Sequence, residues 1–314
     1  MVISNLVVAF SAVVPLFALM LMGLYIRHAK LMTDTELKYM NAMVFRVFFF
    51  CMMFYNIYNT DISEVFRPKL MLYGGGMVIL VAIIAALIVV PFEKENRRRG
   101  VMVQAIFRSN FVLMGIPLVM NIFGPDEVAV TTMMIAIIVP IYNVLGVLVL
   151  ETFRGGHFAV LPVLKGVITN PMIEGALLGA AFLLLGITIP EPILKPIRQV
   201  AAATSPVALI ILGASFKMNT VSAEKIQLGF CVAMRLIVVP AVVLGIAAVL
   251  GFRGVDFVTL VAIFCTPCAV ASFAMAQQMG GDADLAGNCL IFTSGLSCVT
   301  IFCWILLFKT LGMF

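Results

Sequence analysis

Residues 108–124 read RSNFVLMGIPLVMNIFG, an apolar run that contains Pro117, and residues 261–281 read VAIFCTPCAVASFAMAQQMGG, which contains Pro267. A proline inside a helix removes one hydrogen bond and clashes with the carbonyl one turn earlier, at a cost of ~3 kcal/mol. In hydrocarbon, the released backbone groups need another partner or must face a cavity that holds water or ligand. The two stretches therefore predict two broken membrane helices with a binding site between them, an arrangement typical of secondary transporters.

The composition of the chain indicates a membrane protein. Of the 314 residues, 63% are hydrophobic and 11% are charged, whereas soluble domains carry roughly 25% charged residues. The apolar run at residues 1–26 is too long for a signal-peptide core, so we expect it to be retained as a first membrane helix. All seven cysteines lie in apolar segments, which argues against disulfides and against a redox or metal role for the Cys265–Cys268 pair. We expect no cofactor, no metal site and no nucleic-acid partner.

Ten apolar runs are long enough to cross ~30 Å of hydrocarbon, which takes about 17–25 residues. We predict an all-α polytopic protein with spans at 4–26, 37–58, 69–92, 100–122, 127–151, 166–187, 198–216, 226–250, 256–279 and 284–311. Loop chemistry such as EKENRRRG and MGGDAD separates the runs.

The distribution of lysine and arginine predicts the orientation of these spans. Eleven lie in the loops after spans 1, 3, 5, 7 and 9, six lie on the opposite side, and Arg46, Arg108 and Arg235 lie within spans. Because cytoplasmic loops carry the basic excess, we predict a multi-pass protein of the cytoplasmic (inner) membrane with both termini outside. Five spans on each side of a short 152–165 linker make the two halves an inverted repeat, with the two prolines in the fourth span of each half.

The residues of spans 4 and 5 resemble the auxin efflux carrier family, in particular NFVLMGIPL at 110–118 and IVPIYNVLGVLVLE at 138–151. NPMIEGALLG at 170–179, SPVALIILGASF at 205–216 and RLIVVPAV at 235–242 are also similar to that family. The short linker is like that of the bacterial members, which are related to plant PIN carriers and to malate or malonate permeases.

This resemblance implies a ten-helix 5+5 inverted repeat, similar to the fold of sodium–proton antiporters and bile-acid symporters. Residues 1–151 would form the first repeat, 152–165 a cytoplasmic linker and 166–314 the second repeat. Spans 4 and 9 would be broken and would cross in a mobile transport domain of spans 3–5 and 8–10. Spans 1, 2, 6 and 7 would form a scaffold that commonly dimerises, so a homodimer is expected.

The resemblance also assigns residues to the substrate region: Asn110, Ile116 and Pro117 in span 4, Asn143 in span 5 and Pro267 in span 9. In the plant carriers an acidic and a basic residue near the start of span 3 assist transport. The corresponding stretch here, RPKLMLYGGGMVIL, has no acid. The coupling mechanism of those carriers therefore does not transfer to this chain.

Residue chemistry adds further candidates to this site. Gly115, Thr266 and Ser272 are small or polar neighbours of the two prolines, and a broken helix suits a carboxylate through its exposed N–H groups and its dipole. Arg108 lies two residues before Asn110 and is the best candidate to attract an anion. The alternative for Asn110 and Asn143 is a hydrogen bond that joins helices.

The other charges within spans have competing interpretations. Glu174 is a possible proton carrier for coupling, or an interfacial cap at the start of span 6. Arg235 is expected to snorkel or to pair with Glu174 or Glu151, and Arg46 to reach an interface. Asp282 and Asp284 are expected to cap span 10, and the GxxxG of Gly175 and Gly179 to allow close packing of span 6.

These observations predict a secondary active transporter of a small organic anion, a mono- or dicarboxylate that is auxin-like or malate/malonate-like. Proton coupling is favoured over sodium, because no central acidic cluster is present to hold sodium. The alternatives are a sodium-coupled carboxylate symporter, a channel and a non-transporting sensor. An intramembrane enzyme is disfavoured, since neither HExxH nor GxSxG occurs.

Overall fold

The computed structural model describes residues 2–59, 67–124, 127–154 and 160–314, and helices dominate this part of the chain. In chain order the helices are α1 (Val2–His28), α2 (Asp34–Tyr58), α3 (Pro68–Phe92), α4 (Asn96–Phe107), α5 (Phe111–Phe123), α6 (Ala129–Arg154), α7 (Val160–Ile168), α8 (Pro171–Leu184), α9 (Glu191–Ser215), α10 (Met218–Ala223), α11 (Lys225–Val249), α12 (Gly254–Cys265), α13 (Val270–Gln278) and α14 (Ala283–Thr310).

Six helices in the described ranges are long and apolar enough to cross a membrane, judged by length and composition. These are α2, α3, α6, α9, α11 and α14. Shorter apolar helices are α5, α8, α12 and the part of α1 that begins at Val14. The architecture confirms the prediction of an all-α protein with several membrane-spanning helices.

Local side-chain chemistry explains where several helices begin. Thr33 and Glu36 form a capping box before α2, in which Glu36 Oε2 accepts from the Thr33 N–H at 2.6 Å. Asn170 Oδ1 accepts from the Met172 N–H at the start of α8. Asp282 Oδ1 accepts from the Leu285 N–H at 3.1 Å, which confirms the predicted cap of α14.

Glycines set the closest helix contacts. A Cβ atom added to Gly179 of α8 would lie 2.6 Å from the Phe54 carbonyl oxygen of α2, and Gly175 lies equally tightly against the Phe50 main chain. The GxxxG prediction is therefore confirmed. Gly23 of α1 and Gly213 of α9 produce a second close crossing, in which each glycine lies against the backbone of the other helix.

Two long helices each contain a π-helical turn that carries an arginine. The turn at Val44–Phe48 in α2 holds Arg46, which is exposed on the outer face. The turn at Met234–Val238 in α11 holds Arg235, which is fully buried. Such turns insert one residue into the helix and are frequent at functional sites.

Much of the predicted 152–165 linker is helical. Helix α6 extends to Arg154, and α7 occupies Val160–Ile168. The remaining positions of that predicted linker, 155–159, lie outside the described residues.

Candidate functional site

Two short interruptions of the helices meet at the centre of the molecule. Residues 108–110 separate α4 from α5, and residues 266–269 separate α12 from α13. Ser109 and Cys268 form an antiparallel bridge. The Asn110 N–H donates to the Pro267 carbonyl at 2.8 Å, and the Ala269 N–H donates to the Arg108 carbonyl at 3.3 Å. The two interruptions therefore satisfy part of each other's backbone hydrogen-bonding groups, and this pair of segments, 108–110 and 266–269, is here called the crossing.

The two prolines occupy different positions relative to these interruptions. Pro267 lies within the second interruption, as predicted, whereas Pro117 lies inside α5, so the expectation that Pro117 marks the break is wrong. The first interruption falls instead on Arg-Ser-Asn at 108–110, where short polar side chains and the pairing with 266–269 compete with the helical ladder. Pro117 removes one bond in α5, a loss that packed membrane helices accommodate.

Arg108 is a buried cation that donates to uncharged acceptors. The residue is only 4% exposed, and its Nη1 donates to Met275 Sδ at 2.6 Å. Its Nη2 donates to Asn143 Oδ1. Both acceptors are uncharged, and no ion pair in the described part of the chain includes Arg108. A buried charge is stable only when it is paired or well bonded, so the guanidinium of Arg108 favours a negatively charged ligand.

Two predicted substrate residues have side-chain atoms that are buried and unbonded. Asn110 Nδ2 and Ser272 Oγ have no hydrogen-bond partner in the described residues. Gln104 Oε1 on α4 and Asn41 Oδ1 on α2 are in the same situation. Orphaned buried polar groups cost roughly 1–3 kcal/mol each, so Asn110 at the first interruption and Ser272 just after the second are candidates to bind a polar ligand; Gln277 Oε1 and Thr300 Oγ1 are unbonded as well.

The helices that leave the interruptions begin without side-chain caps. Neither the side chain of Asn110 before α5 nor that of Ala269 before α13 caps the N–H groups of the first turn. The first N–H groups of a helix have no intrahelical acceptor, and its N-terminus carries partial positive charge. Both starts therefore favour an anion, in agreement with the charge of Arg108.

Asn143 lies between the guanidinium of Arg108 and a residue that lines a cavity, Met53. Its Oδ1 accepts from Arg108, and its Nδ2 donates to Met53 Sδ at 2.6 Å. Met53 also lines a cavity of about 230 Å³ between α2, α5 and α6, and Ile116 and Val112 lie on its opposite wall. Met53 thus stands between this cavity and the Arg108–Asn143 pair.

A second cavity lies at the other end of α2. It has a volume of about 340 Å³ and a polar lining that includes Asp34, Lys38 and Arg97. A larger cavity of about 430 Å³ lies between α2, α8 and the start of α9. Its wall is apolar, with Phe50, Phe54 and Phe182 among its residues, so it offers no partner for an anion.

The other predicted site residues either contact other parts of the protein or are exposed. A Cβ atom added to Gly115 would lie 2.6 Å from the Phe111 ring. The glycine therefore leaves room for that ring within α5. The Thr266 carbonyl accepts from Arg235, and its hydroxyl donates to the Ala262 carbonyl. Glu174 is exposed in the first turn of α8.

Arg235 binds main-chain carbonyls rather than a carboxylate. It donates to the Thr266 and Ile263 carbonyls at the end of α12, and to the Ile106 and Phe107 carbonyls at the end of α4. The prediction that it snorkels or pairs with Glu174 or Glu151 is therefore wrong. Its partners come from segments far apart in the chain, which the sequence alone does not reveal.

Four further residues complete the surroundings of Arg108. Gln104, one turn earlier on α4, donates to Met275 Sδ at 3.6 Å. A Cβ atom on Gly146 would lie 2.7 Å from Arg108 Nη1, so this glycine makes room for the guanidinium. Tyr142 and Ser109 share a buried hydroxyl contact at 2.9 Å. A polar residue four positions before Arg108 was a usable signal for Gln104, whereas Met275 could not be distinguished among 21 methionines.

A separate polar cluster lies near the N-terminal ends of three helices, α4, α11 and α14. Glu224 is 5% exposed, accepts from Asn288 Nδ2 at 3.3 Å and lies 3.8 Å from Arg98 Nη2. Arg98 also bonds Asp282 at 3.2 Å. Burial, and then the neighbouring Asp282 charge, raise the pKa of Glu224 to about 7.

Comparisons with known proteins agree with this architecture. The model of the family described as membrane transport protein matches residues 8–160 and 157–305. An uncharacterized transporter of Methanothermobacter thermautotrophicus is 24% identical over 308 residues, which cover 94% of this chain and 96% of that protein.

Proposed function

This chain belongs to the membrane transport protein family, which confirms the resemblance to auxin efflux carriers, and we propose that it carries a small organic anion across the membrane by alternating access. It is an integral, multi-pass membrane transporter. The proposed substrates are mono- or dicarboxylates of the auxin-like or malate/malonate-like class.

The observation that carries this proposal is the uncompensated charge of Arg108. A guanidinium offers five donors and recognises a carboxylate in a bidentate manner. Here it is buried and held by one sulfur and one amide oxygen. A carboxylate that reaches Arg108 would supply both the missing charge and better acceptors than a thioether.

Neighbouring groups complete the proposed anion site. The unbonded Nδ2 of Asn110 is a donor for a carboxylate oxygen, and the hydroxyl of Ser272 can act as donor or acceptor. Asn143 orients the guanidinium, and Ile116 with Met53 lines the approach from the cavity. The Pro267 carbonyl is occupied by Asn110, so this proline acts by shaping the backbone.

Alternating access is supported by the position of the two cavities near α2. One lies toward its Tyr55 end and the other toward its Asp34 end. We propose a ten-span inverted repeat in which α1, α2, α8 and α9 form the scaffold and the helices of predicted spans 3–5 and 8–10 form the transport domain. We further propose a homodimer in the cytoplasmic membrane with both termini outside.

For coupling, we propose a proton rather than sodium. Glu174 gains no support as the proton carrier, because its side chain is exposed and makes no hydrogen bond or ion pair within the described ranges. A buried carboxyl with an elevated pKa is instead found at Glu224.

Counterflow in proteoliposomes tests the proposed function. Purified protein would be reconstituted with malonate, malate, succinate or indole-3-acetate inside, and uptake of the same labelled compound would be followed at acidic and neutral pH. We expect counterflow with at least one carboxylate, loss of it in Arg108→Gln, and retention in Arg198→Gln, an exposed arginine paired with Glu191. The absence of counterflow for the whole panel would contradict the proposal, and flux far above carrier rates would indicate a channel.

A further inference from the structure

Four main-chain carbonyls from two helix ends converge on one side chain. Arg235 Nε donates to the Thr266 carbonyl at 2.9 Å and Nη2 to the same oxygen at 2.8 Å. Nη2 also donates to the Ile263 carbonyl at 3.1 Å. Nη1 donates to the Ile106 and Phe107 carbonyls at 3.2 and 3.3 Å.

Converging carbonyls of this kind favour a cation. The last carbonyls of a helix have no intrahelical donor, and the C-terminus carries partial negative charge. Here the C-terminal ends of α4 and α12 present such carbonyls to the same point inside the protein. In other transporters with discontinuous helices, carbonyls at these ends coordinate the coupling Na⁺ or H⁺.

The guanidinium of Arg235 provides that cation from within the chain. The residue has 0% exposure and is among the largest fully buried side chains. No carboxylate forms an ion pair with it in the described residues, so its charge is directed entirely to the carbonyls. The π-helical turn at Met234–Val238 fixes its position in α11.

We propose that Arg235 is a tethered counter-cation that occupies the position of a coupling sodium ion at the crossing, so that transport requires no sodium. This inference rests on the proposed transport function, since it concerns the coupling of the same crossing. It also separates the roles of the two buried arginines: Arg235 neutralises the C-terminal helix ends permanently, which leaves Arg108 and the N-terminal ends available to the anion.

The first experiment uses the wild-type protein. Its thermal unfolding midpoint in detergent, and its uptake of whichever carboxylate passes the counterflow panel, would be measured in sodium chloride and in N-methylglucamine chloride at equal ionic strength. We expect the same midpoint and the same uptake rate in both salts. Higher uptake or a higher midpoint in sodium would overturn the inference.

The second experiment compares Arg235→Lys with Arg235→Met, which retain and remove the charge on similar stems. Arg235→Lys is expected to keep a higher unfolding midpoint and at least about tenfold more uptake than Arg235→Met. The reason is that buried carbonyls left without a donor cost more free energy than a tenfold change in an equilibrium constant represents. Arg253→Met is the matched control, because exposed Arg253 also bonds carbonyls, those of Ala248 and Phe252. A lysine variant no better than the methionine variant, including failure of both to fold, would refute a role for the charge.

The third experiment restores the cation from solution. Adding guanidinium chloride at non-denaturing concentration to Arg235→Ala is expected to raise its unfolding midpoint, and sodium to raise it less, with no such rise in the wild type. A variant that responds to neither cation would overturn the inference. The thermal measurements need no substrate, so they remain decisive if every carboxylate of the panel fails and the proposed function falls.

Discussion

Arg108 and Arg235 are both buried arginines at the same crossing, and their partners differ completely. Arg235 bonds four main-chain carbonyls at the ends of α4 and α12. Arg108 bonds a methionine sulfur and an asparagine oxygen. One guanidinium is therefore fully used by the fold, whereas the other retains charge and donor capacity.

Burial and charge alone therefore do not identify a binding residue. Both arginines are almost inaccessible to solvent, at 4% and 0% exposure. What distinguishes Arg108 is the quality of its acceptors, together with the unbonded Nδ2 of Asn110 in the first interruption and Oγ of Ser272 in α13. A binding site is recognised here by hydrogen-bonding capacity that the protein itself leaves unused.

The largest effect is expected from Arg235→Met. Because four buried carbonyls lose the guanidinium of Arg235, although that of Ile263 also accepts from the Tyr142 hydroxyl at 3.4 Å, we expect the free energy of unfolding to fall by about 3 kcal/mol or more, measured by thermal or denaturant unfolding in detergent. Arg253→Met, at an exposed helix end, should stay within about 0.5 kcal/mol of wild type. Equal stability of the two variants would break the contrast between the arginines.

Arg108→Gln should show the opposite pattern. Uptake is expected to fall about a hundredfold, since the loss of a buried charge that pairs with a ligand costs roughly 2–5 kcal/mol. Stability should change little or rise, because Met275 and Asn143 lose only weak or single bonds. Parallel transport and unfolding measurements check both parts, and a large loss of stability would assign Arg108 to the fold.

Asn110→Ala and Asn143→Ala refine this contrast within the Arg108 region. Asn110 has an unbonded Nδ2, so its removal should weaken substrate affinity about tenfold without a loss of stability. Asn143 bonds Arg108 and Met53, so its removal should also cost about 1 kcal/mol of stability. Concentration-dependent counterflow gives the affinity, and equal destabilisation by both variants would contradict the assignment.

The last comparison concerns Glu224, which lies outside the crossing. Its pKa of about 7 in the fold exceeds the ordinary 4.5, so the folded protein binds a proton that the unfolded chain releases at lower pH. Its contribution is fully present below pH 4.5 and is lost as pH rises through about 7. The free energy of unfolding should therefore fall over this range, and Glu224→Gln should flatten the fall.

Glu93→Gln is the matched control for Glu224. Burial opposes its ionisation, but hydrogen bonds from the Glu95 and Lys94 N–H groups and from Gln227 outweigh that and lower the pKa of Glu93. Its stabilising effect is present above its ordinary pKa and is lost in acid. The glutamine variant should therefore lower stability at neutral pH, and a slope like that of Glu224→Gln would contradict both assignments.

Much of the helical framework could be predicted from the sequence, because apolar runs and their polar borders decide it. The run predicted at 69–92 is the helix Pro68–Phe92, and the GxxxG of Gly175 and Gly179 packs as expected. Asn110 and Asn143 were assigned to the substrate region by the resemblance to auxin efflux carriers, which rests on residues that the sequence also displays. These features depend on local composition, which a single chain displays directly.

The details of the crossing could not be predicted in the same way. Pro117 was the strongest local signal for a break, yet the interruption falls at 108–110, where pairing with distant residues 266–269 decides the backbone. The partners of Arg235 are carbonyls, which every residue has and which sequence therefore cannot mark. Such long-range contacts decide whether a buried charge is bonded within the fold or remains available to a ligand.

The backbone bridge between Ser109 and Cys268 has a mechanical consequence. Because hydrogen bonds tie 108–110 to 266–269 on both sides of it, a force that tilts α5 is transmitted directly to α12 and α13. Under the proposed alternating access, the two interruptions should therefore move together and slide against α2 rather than bend at the bridge. A compound that binds beside Ile116 and Met53 would hinder that sliding and slow transport without contacting Arg108.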